Sequence, residues 1–266
     1  MTTIASPQNA RVKALRRLHT KRGRERDATF IAEGEDLLAA AARARRPPLE
    51  GYRLAGSGLG GASFHDVERD ALAAASALGS GTRVMAVYEQ RWGAAAGPVC
   101  VYLHGVSDPG NVGTVLRSAE AFGASCVALG PGCADPHSPK AVRASMGAIF
   151  SVALARTDDV GELPGELVAL DAHGEEDLRD VCAAAPAPIS LLVGAEREGL
   201  PAELLRRAAR VARIPIRSES LNAAMAATVA LYELTRARAG DEPSLRRGSQ
   251  ASDGHAGGRT SRVRAS

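Results

Sequence analysis

Aromatic side chains make up only 3% of the 266 residues, so the aromatic platforms on which single-stranded bases commonly stack are largely missing. The abundant Ala and Gly point instead to cores built by close approach of helices. Cysteine is also scarce. Cys100, Cys126, Cys133 and Cys182 contain no C-x-x-C pair, and three of them lie in apolar stretches, which makes them reduced core residues rather than a disulfide or zinc framework. His104 and His137 have neither metal-ligand spacing nor a Ser or Cys partner pattern, so no metal site is expected. No apolar stretch reaches membrane-spanning length, and the N-terminus lacks the apolar region of a secretory signal. The expectation is a cytoplasmic protein. There is no P-loop, and no G-x-G-x-x-G opens a first βα unit, which argues against the common nucleotide folds.

What is present is unevenly distributed. The formal charge is only +3, yet between Arg11 and Arg26 eight basic residues (Arg11, Lys13, Arg16, Arg17, Lys21, Arg22, Arg24 and Arg26) face one acid, Glu25. Such a run is commonly a solvated helix face; the functional alternative is a surface that contacts nucleic-acid phosphates. Apolar spacing at Val12, Leu15 and Leu18 predicts one helix there. A short strand at Ile31 and an Ala-rich helix ending before Pro47 follow, then a second Ala-rich helix over 70–78 and a strand over 82–87. Gly93 to Pro98 reads as a linker, dividing the chain into 1–96 and 97–239, with a Gly/Ser/Arg-rich tail over 240–266 expected to be disordered.

Beyond the linker, short apolar runs at 99–103, 125–129, 166–170, 189–193 and 212–216 alternate with helical patterns. That alternation predicts an α/β domain with a parallel sheet covered on both faces, where ligands bind at the carboxyl ends of the strands. Three strand-end segments are polar and Gly- or Ser-containing: 104–117, 194–200 and 217–222. Alone, the first is either a capped helix start, with Asp108 or Asn111 satisfying free amides, or a phosphate cradle.

Together the three resemble, in order and spacing, the motifs of SpoU/TrmH methyltransferases of the SPOUT superfamily. They are Asn-x-Gly-x-x-x-Arg at 111–117, Gly-x-Glu-x-x-Gly-Leu at 194–200, and Ile214-Pro215 followed by Ser220-Leu221-Asn222. Upstream, Ser6-Pro-Gln-Asn-Ala-Arg-Val-Lys and Phe30-Ile-Ala-Glu-Gly are similar to a substrate-binding domain of ribosomal-protein-L30e-like fold. The stretch from Pro215 to Ser220 is shorter than the family pattern.

The resemblance implies a C-terminal trefoil knot, a homodimer with the last helix near its interface, and S-adenosyl-L-methionine (SAM) as methyl donor. Gly194, Ile214 and Leu221 would contact SAM; Asn111, Arg117, Glu196, Ser220 and Asn222 would form the catalytic surface; Arg11, Lys13, Arg16, Arg17, Lys21 and Arg22 would contact RNA. A ribose 2′-hydroxyl is a weak acid that must be held in line with the methyl group, so positioning supplies much of the rate. Because a guanidinium keeps its proton in proteins, Arg117 is expected to hold a phosphate and stabilise the developing alkoxide, with Glu196 and Asn222 fixing Arg117 and the substrate by hydrogen bonds. Large-subunit rRNA is the expected substrate. The alternatives are tRNA, a thiostrepton-resistance-like rRNA activity, and a non-catalytic RNA-binding protein.

Overall fold

The computed structural model describes residues 3–78, 81–217 and 220–240. The expected tail over 240–266 lies outside them, apart from its first residue.

The N-terminal basic segment folds as two helices rather than one: α1 (Ala10–Arg17) and α2 (Lys21–Asp27). Each starts on its own cap. Asn9 accepts a hydrogen bond from the Arg11 amide at 2.9 Å, and Thr20 accepts from the Gly23 amide at 3.1 Å. A side chain at position 23 would strike the Arg17 carbonyl, its Cβ falling 2.0 Å from the oxygen, so glycine permits the tight corner between the helices. Then come β1 (Thr29–Glu33), α3 (Glu35–Arg43), β2 (Glu50–Leu54), β3 (His65–Val67), α4 (Arg69–Ala75) and β4 (Val84–Glu89). The strands form a mixed sheet of order β1-β4-β2-β3, with β4 antiparallel to both its neighbours and β2 parallel to β3.

Alternation along β1 and β4 gives this sheet two different faces. Ile31 and Met85 pack beneath α1 and α4 with Val12, Leu15 and Leu72. Phe30, Ala32, Ala86 and Tyr88 point the other way and join a core continuous with the second sheet. The small unit therefore completes half of its interior on the large one.

The second sheet contains β5 (Val99–Leu103), β6 (Cys126–Leu129), β7 (Ala153–Arg156), β8 (Glu166–Leu170), β9 (Glu176–Asp177), β10 (Ile189–Val193) and β11 (Arg210–Arg213). All its pairings are parallel, in the order β7-β6-β5-β10-β8-β11-β9. Around it lie α5 (Pro109–Ala121), α6 (Pro139–Ala144), α7 (Leu178–Ala184), α8 (Ala202–Arg207) and α9 (Ala223–Gly240). Every residue of β5, β6 and β10 is buried, as expected of strands covered on both faces. The strand expected over 212–216 instead ends at Arg213: Ile214 is half-buried and Ile216 exposed, and both leave the sheet to line a cavity. The sheet is laid down in both directions from β5, through β6 on one side and β10 on the other. That reversal creates a crevice at the strand ends.

A buried polar joint connects the two units. Arg24 is 3% exposed and binds Asp135 from Nε at 2.8 Å and Nη2 at 2.7 Å, while its Nη1 donates to the Leu18 and His19 carbonyls. One residue of the basic run is thus structural. Burial works against the Asp135 charge, but donors from His137 and Arg24 outweigh it and hold the carboxyl well below the usual range. The ring of His137 sits between Phe30 and Trp92, with centroids 4.9 and 5.2 Å away, and burial lowers its pKa despite Asp135. Arg156 stacks on Trp92 at 4.3 Å. Cys100, Cys126 and Cys182 are buried free thiols, Cys133 is half-buried, and among the described residues no helix is long and apolar enough to cross a membrane.

Candidate active site

The site begins at the head of α5. Asp108 caps this helix by accepting from the Asn111 amide at 3.1 Å, and Pro109 occupies the first helical turn, where no intrahelical donor is needed. Lys140 approaches Asp108 at 2.6 Å and holds its carboxyl below the ordinary value. Gly113 lies where α5 crosses α6; a Cβ there would be 2.3 Å from the Ala141 carbonyl oxygen. The glycine of the first segment thus serves helix packing and thereby fixes the height of Asn111 above the sheet.

The second segment turns back on itself after β10. Gly199 adopts φ +66° and its amide donates to the Ala195 carbonyl at 3.0 Å. A Cβ on Gly194 would meet the Gly199 carbonyl carbon at 2.2 Å, so both glycines are required for the loop to close. Closure carries Glu196 toward α5, where its carboxylate accepts a hydrogen bond from the Asn111 side-chain amide.

Asn222 supplies the third segment's contribution. Its Oδ1 caps α9, accepting from the amides of Ala224 at 2.9 Å and Met225 at 3.3 Å. That leaves Nδ2 as a donor, and it donates to Asn111 Oδ1 at 3.1 Å. Asn111 must then present its own Nδ2 to Glu196. The amide orientations along the chain Asn222, Asn111, Glu196 are set from the first turn of α9, and residues 111 positions apart in sequence meet.

Beside this chain opens a cavity of about 280 Å³, close to the range of small-ligand sites. It lies at the carboxyl ends of β8, β10 and β11 and beneath the start of α9. Gly194, Ile214 and Leu221 line it, as do Glu196 and Ser220, so the residues of the second and third segments converge on one space. Asp171 and His173 line it as well. Neither was singled out from sequence: a lone Asp-x-His after an apolar run carries no pattern, and only its place between two motif-bearing strands gives it meaning.

Arg117 does not share the hydrogen-bonded chain. It stands exposed, six residues beyond Asn111, which on an α-helix is about 9 Å along the axis and roughly 120° around it. Glu196 and Asn222 hold Asn111 rather than Arg117. On α1 and α2, Lys13, Arg16, Arg17, Lys21 and Arg22 are all exposed. Arg11 is partly committed, lying 2.6 Å from His65 and 3.5 Å from Glu50. Lys21 and Glu25 form a loose pair at 3.9 Å.

Comparison with known proteins places this architecture. Residues 9–56 match the MRM3-like substrate binding domain. Over 250 residues the chain is 30% identical to the 23S rRNA (guanosine(2553)-2'-O)-methyltransferase RlmP of Bacillus subtilis, covering 88% of this chain and 99% of that protein. An AdoMet-bound rRNA methyltransferase from Sinorhizobium meliloti has a similar structure, with a TM-score of 0.78 at 32% identity over 88% of this chain and 97% of that one. The SpoU methyltransferase AviRb from Streptomyces viridochromogenes gives 0.76 at 28% identity over 88% and 99%. With residues 98–232, the stretch that carries all three motif segments, matching the family itself, the chain belongs to the SpoU rRNA Methylase family.

Proposed function

We propose that this chain transfers a methyl group from SAM to a ribose 2′-hydroxyl of RNA, with large-subunit rRNA as the substrate class. The observation that carries this reading is the hydrogen-bonded chain Asn222, Asn111, Glu196 at the rim of a strand-end cavity. The cavity suits SAM: apolar walls from Val193, Ile214 and Leu221 for a base, strand-end backbone groups for polar edges, and a glycine at 194 where the backbone must come close. When bound, the cofactor supplies an electrophilic methyl group on sulfonium. Gly194, Ile214 and Leu221 hold it, largely through main-chain groups.

Asn111, Glu196, Ser220 and Asn222 orient the ribose, their donors and acceptors fixed before substrate arrives, so little reorganisation is needed during reaction. Arg117 holds a phosphate of the target strand and stabilises negative charge developing on the 2′-oxygen. Residues 1–96 form an L30e-like RNA-binding domain and 97–239 the methyltransferase domain. Arg11, Lys13, Arg16, Arg17, Lys21 and Arg22 contact phosphates. The C-terminal part is threaded as a trefoil knot, a reading supported by the return of the chain from β11 to α5, where Thr228 meets Ser118 at 2.6 Å. The working unit is a cytoplasmic homodimer with α9 at its interface, supported by the exposed Met225 and Tyr232 on that helix.

Mass-spectrometric mapping of ribose methylation in total RNA, with and without this chain, tests the reading directly. One rRNA 2′-O-methyl mark that disappears with the chain is the expected result. An unchanged map together with no SAM binding by calorimetry would leave a non-catalytic RNA-binding protein.

A further inference from the structure

Among the described residues, three carboxylates line the cavity, and they are not equivalent. Glu196 is committed to Asn111, and Glu198 is exposed. Asp171, half-buried at the end of β8, is fixed on several sides. Its amide donates to the Ala212 carbonyl on β11 at 3.0 Å, its own carbonyl accepts from the Gly174 amide at 3.1 Å, and Oδ1 accepts from the His173 amide at 2.8 Å. Oδ2 turns across the cavity toward the β10 loop, 3.8 Å from where a Cβ on Gly199 would stand. One oxygen anchors the carboxylate, and the other is presented to whatever fills the space.

The strand order says which part of a ligand it meets. From β5 the order runs β10, β8, β11. The reacting end lies on the β5–β10 side, where Asn111 and Glu196 meet. The apolar end lies on the β11 side, walled by Ile214, Ile216, Leu221 and Ala226. Asp171 stands on the strand between them, one strand spacing, about 4.8 Å, from either. In SAM the ribose joins the apolar base to the sulfonium, and it carries a pair of neighbouring hydroxyls. We propose that Asp171 is the residue that recognises this diol, both hydroxyls donating to its free oxygen, and so sets how far the sulfonium reaches toward Asn111. The inference builds on the SAM assignment made above.

Asp171→Asn keeps an acceptor for the His173 amide, so the loop should stay folded, and an unchanged melting temperature checks that it does. Calorimetry with SAM, with S-adenosyl-L-homocysteine (SAH) and with 2′-deoxy-SAH supplies the readouts. Asp171→Asn should weaken SAM and SAH alike by about tenfold, the scale of one charge-assisted hydrogen bond. The unaltered protein should lose part of that factor for 2′-deoxy-SAH, and the variant should lose little more, because the charge-assisted hydrogen bond made by the 2′-hydroxyl is already gone from it.

Loss of SAM affinity with SAH unchanged would place the carboxylate against the sulfonium and overturn the proposal. A full deoxy penalty retained in the variant would also overturn it. So would normal SAM and SAH binding by Asp171→Asn. Failure of the unaltered protein to bind either ligand would instead overturn the cofactor assignment itself.

Discussion

The two sheets handle polar groups in opposite ways. The N-terminal unit keeps nearly all the cations of α1 and α2 on its surface and buries one, Arg24, at its joint with the other unit. The methyltransferase-family unit gathers amides and carboxylates inward, around a cavity at its strand ends. The difference teaches what each arrangement can do. Exposed cations act at a distance, tolerate rearrangement and are screened by salt. A fixed chain of hydrogen bonds acts only at close range and tolerates almost none.

The sharpest way to break this comparison is at Arg117, which is exposed like the N-terminal cations but sits on the helix that carries Asn111. Arg117→Ala should lower single-turnover methyl transfer by about 10²–10³-fold, the cost of removing one transition-state donor, while SAM and RNA affinity persist. If RNA affinity falls and single-turnover rate does not, Arg117 belongs with the binding cations.

The joint should respond next. Arg24→Ala leaves Asp135 buried without its cation, and denaturant titration should show a loss of about 3–5 kcal/mol. Acid should weaken the same joint in wild type. His137 and Asp135 both have lowered pKa values in the fold, so the unfolded chain takes up protons first and stability falls with pH. The fall should begin near pH 6.5 with His137 and steepen below about pH 4 with Asp135. Melting temperature against pH, compared between wild type and His137→Phe, checks the upper part.

Replacing Arg16, Arg17, Lys21 and Arg22 with neutral residues should produce a smaller, purely ionic effect. RNA binding should weaken and its salt slope shrink by about 0.9 for each duplex phosphate that is no longer neutralised, with SAM affinity unchanged. The smallest effect belongs to the tail: truncation after Gly240 should change stability by no more than about 0.5 kcal/mol in a denaturant melt.

The same contrast governs how much could be read in the sequence. The runs at 99–103, 166–170 and 189–193 are strands with those bounds: β5 and β10 are buried throughout and therefore almost continuously apolar, while β8, which opens on Glu166, is fully buried only at Val168 and Ala169. β2 and β3 escaped notice because Gly51, Arg53, His65 and Asp66 interrupt any apolar pattern in short strands. β7, at the sheet edge, and the two-residue β9 are too brief to show a period. The split between α1 and α2 turns on a cap at Thr20, which a reading based on apolar spacing passes over. In the site, the motifs named Asn111, Glu196 and Asn222 but assigned Glu196 and Asn222 to Arg117 and the substrate; that both bind Asn111 depends on a chain reversal that no local pattern encodes.

Asn222 has a consequence for how this chain can change over time. The same carboxamide starts an eighteen-residue helix and orients the site, so loss of either job is loss of both. An aspartate there could still start the helix, but its ionised carboxylate only accepts and would leave Asn111 Oδ1 without this donor. Selection for foldability alone would accept such a replacement and selection for turnover would refuse it. Position 222 is therefore where a descendant that keeps the shape and abandons the chemistry would first become visible.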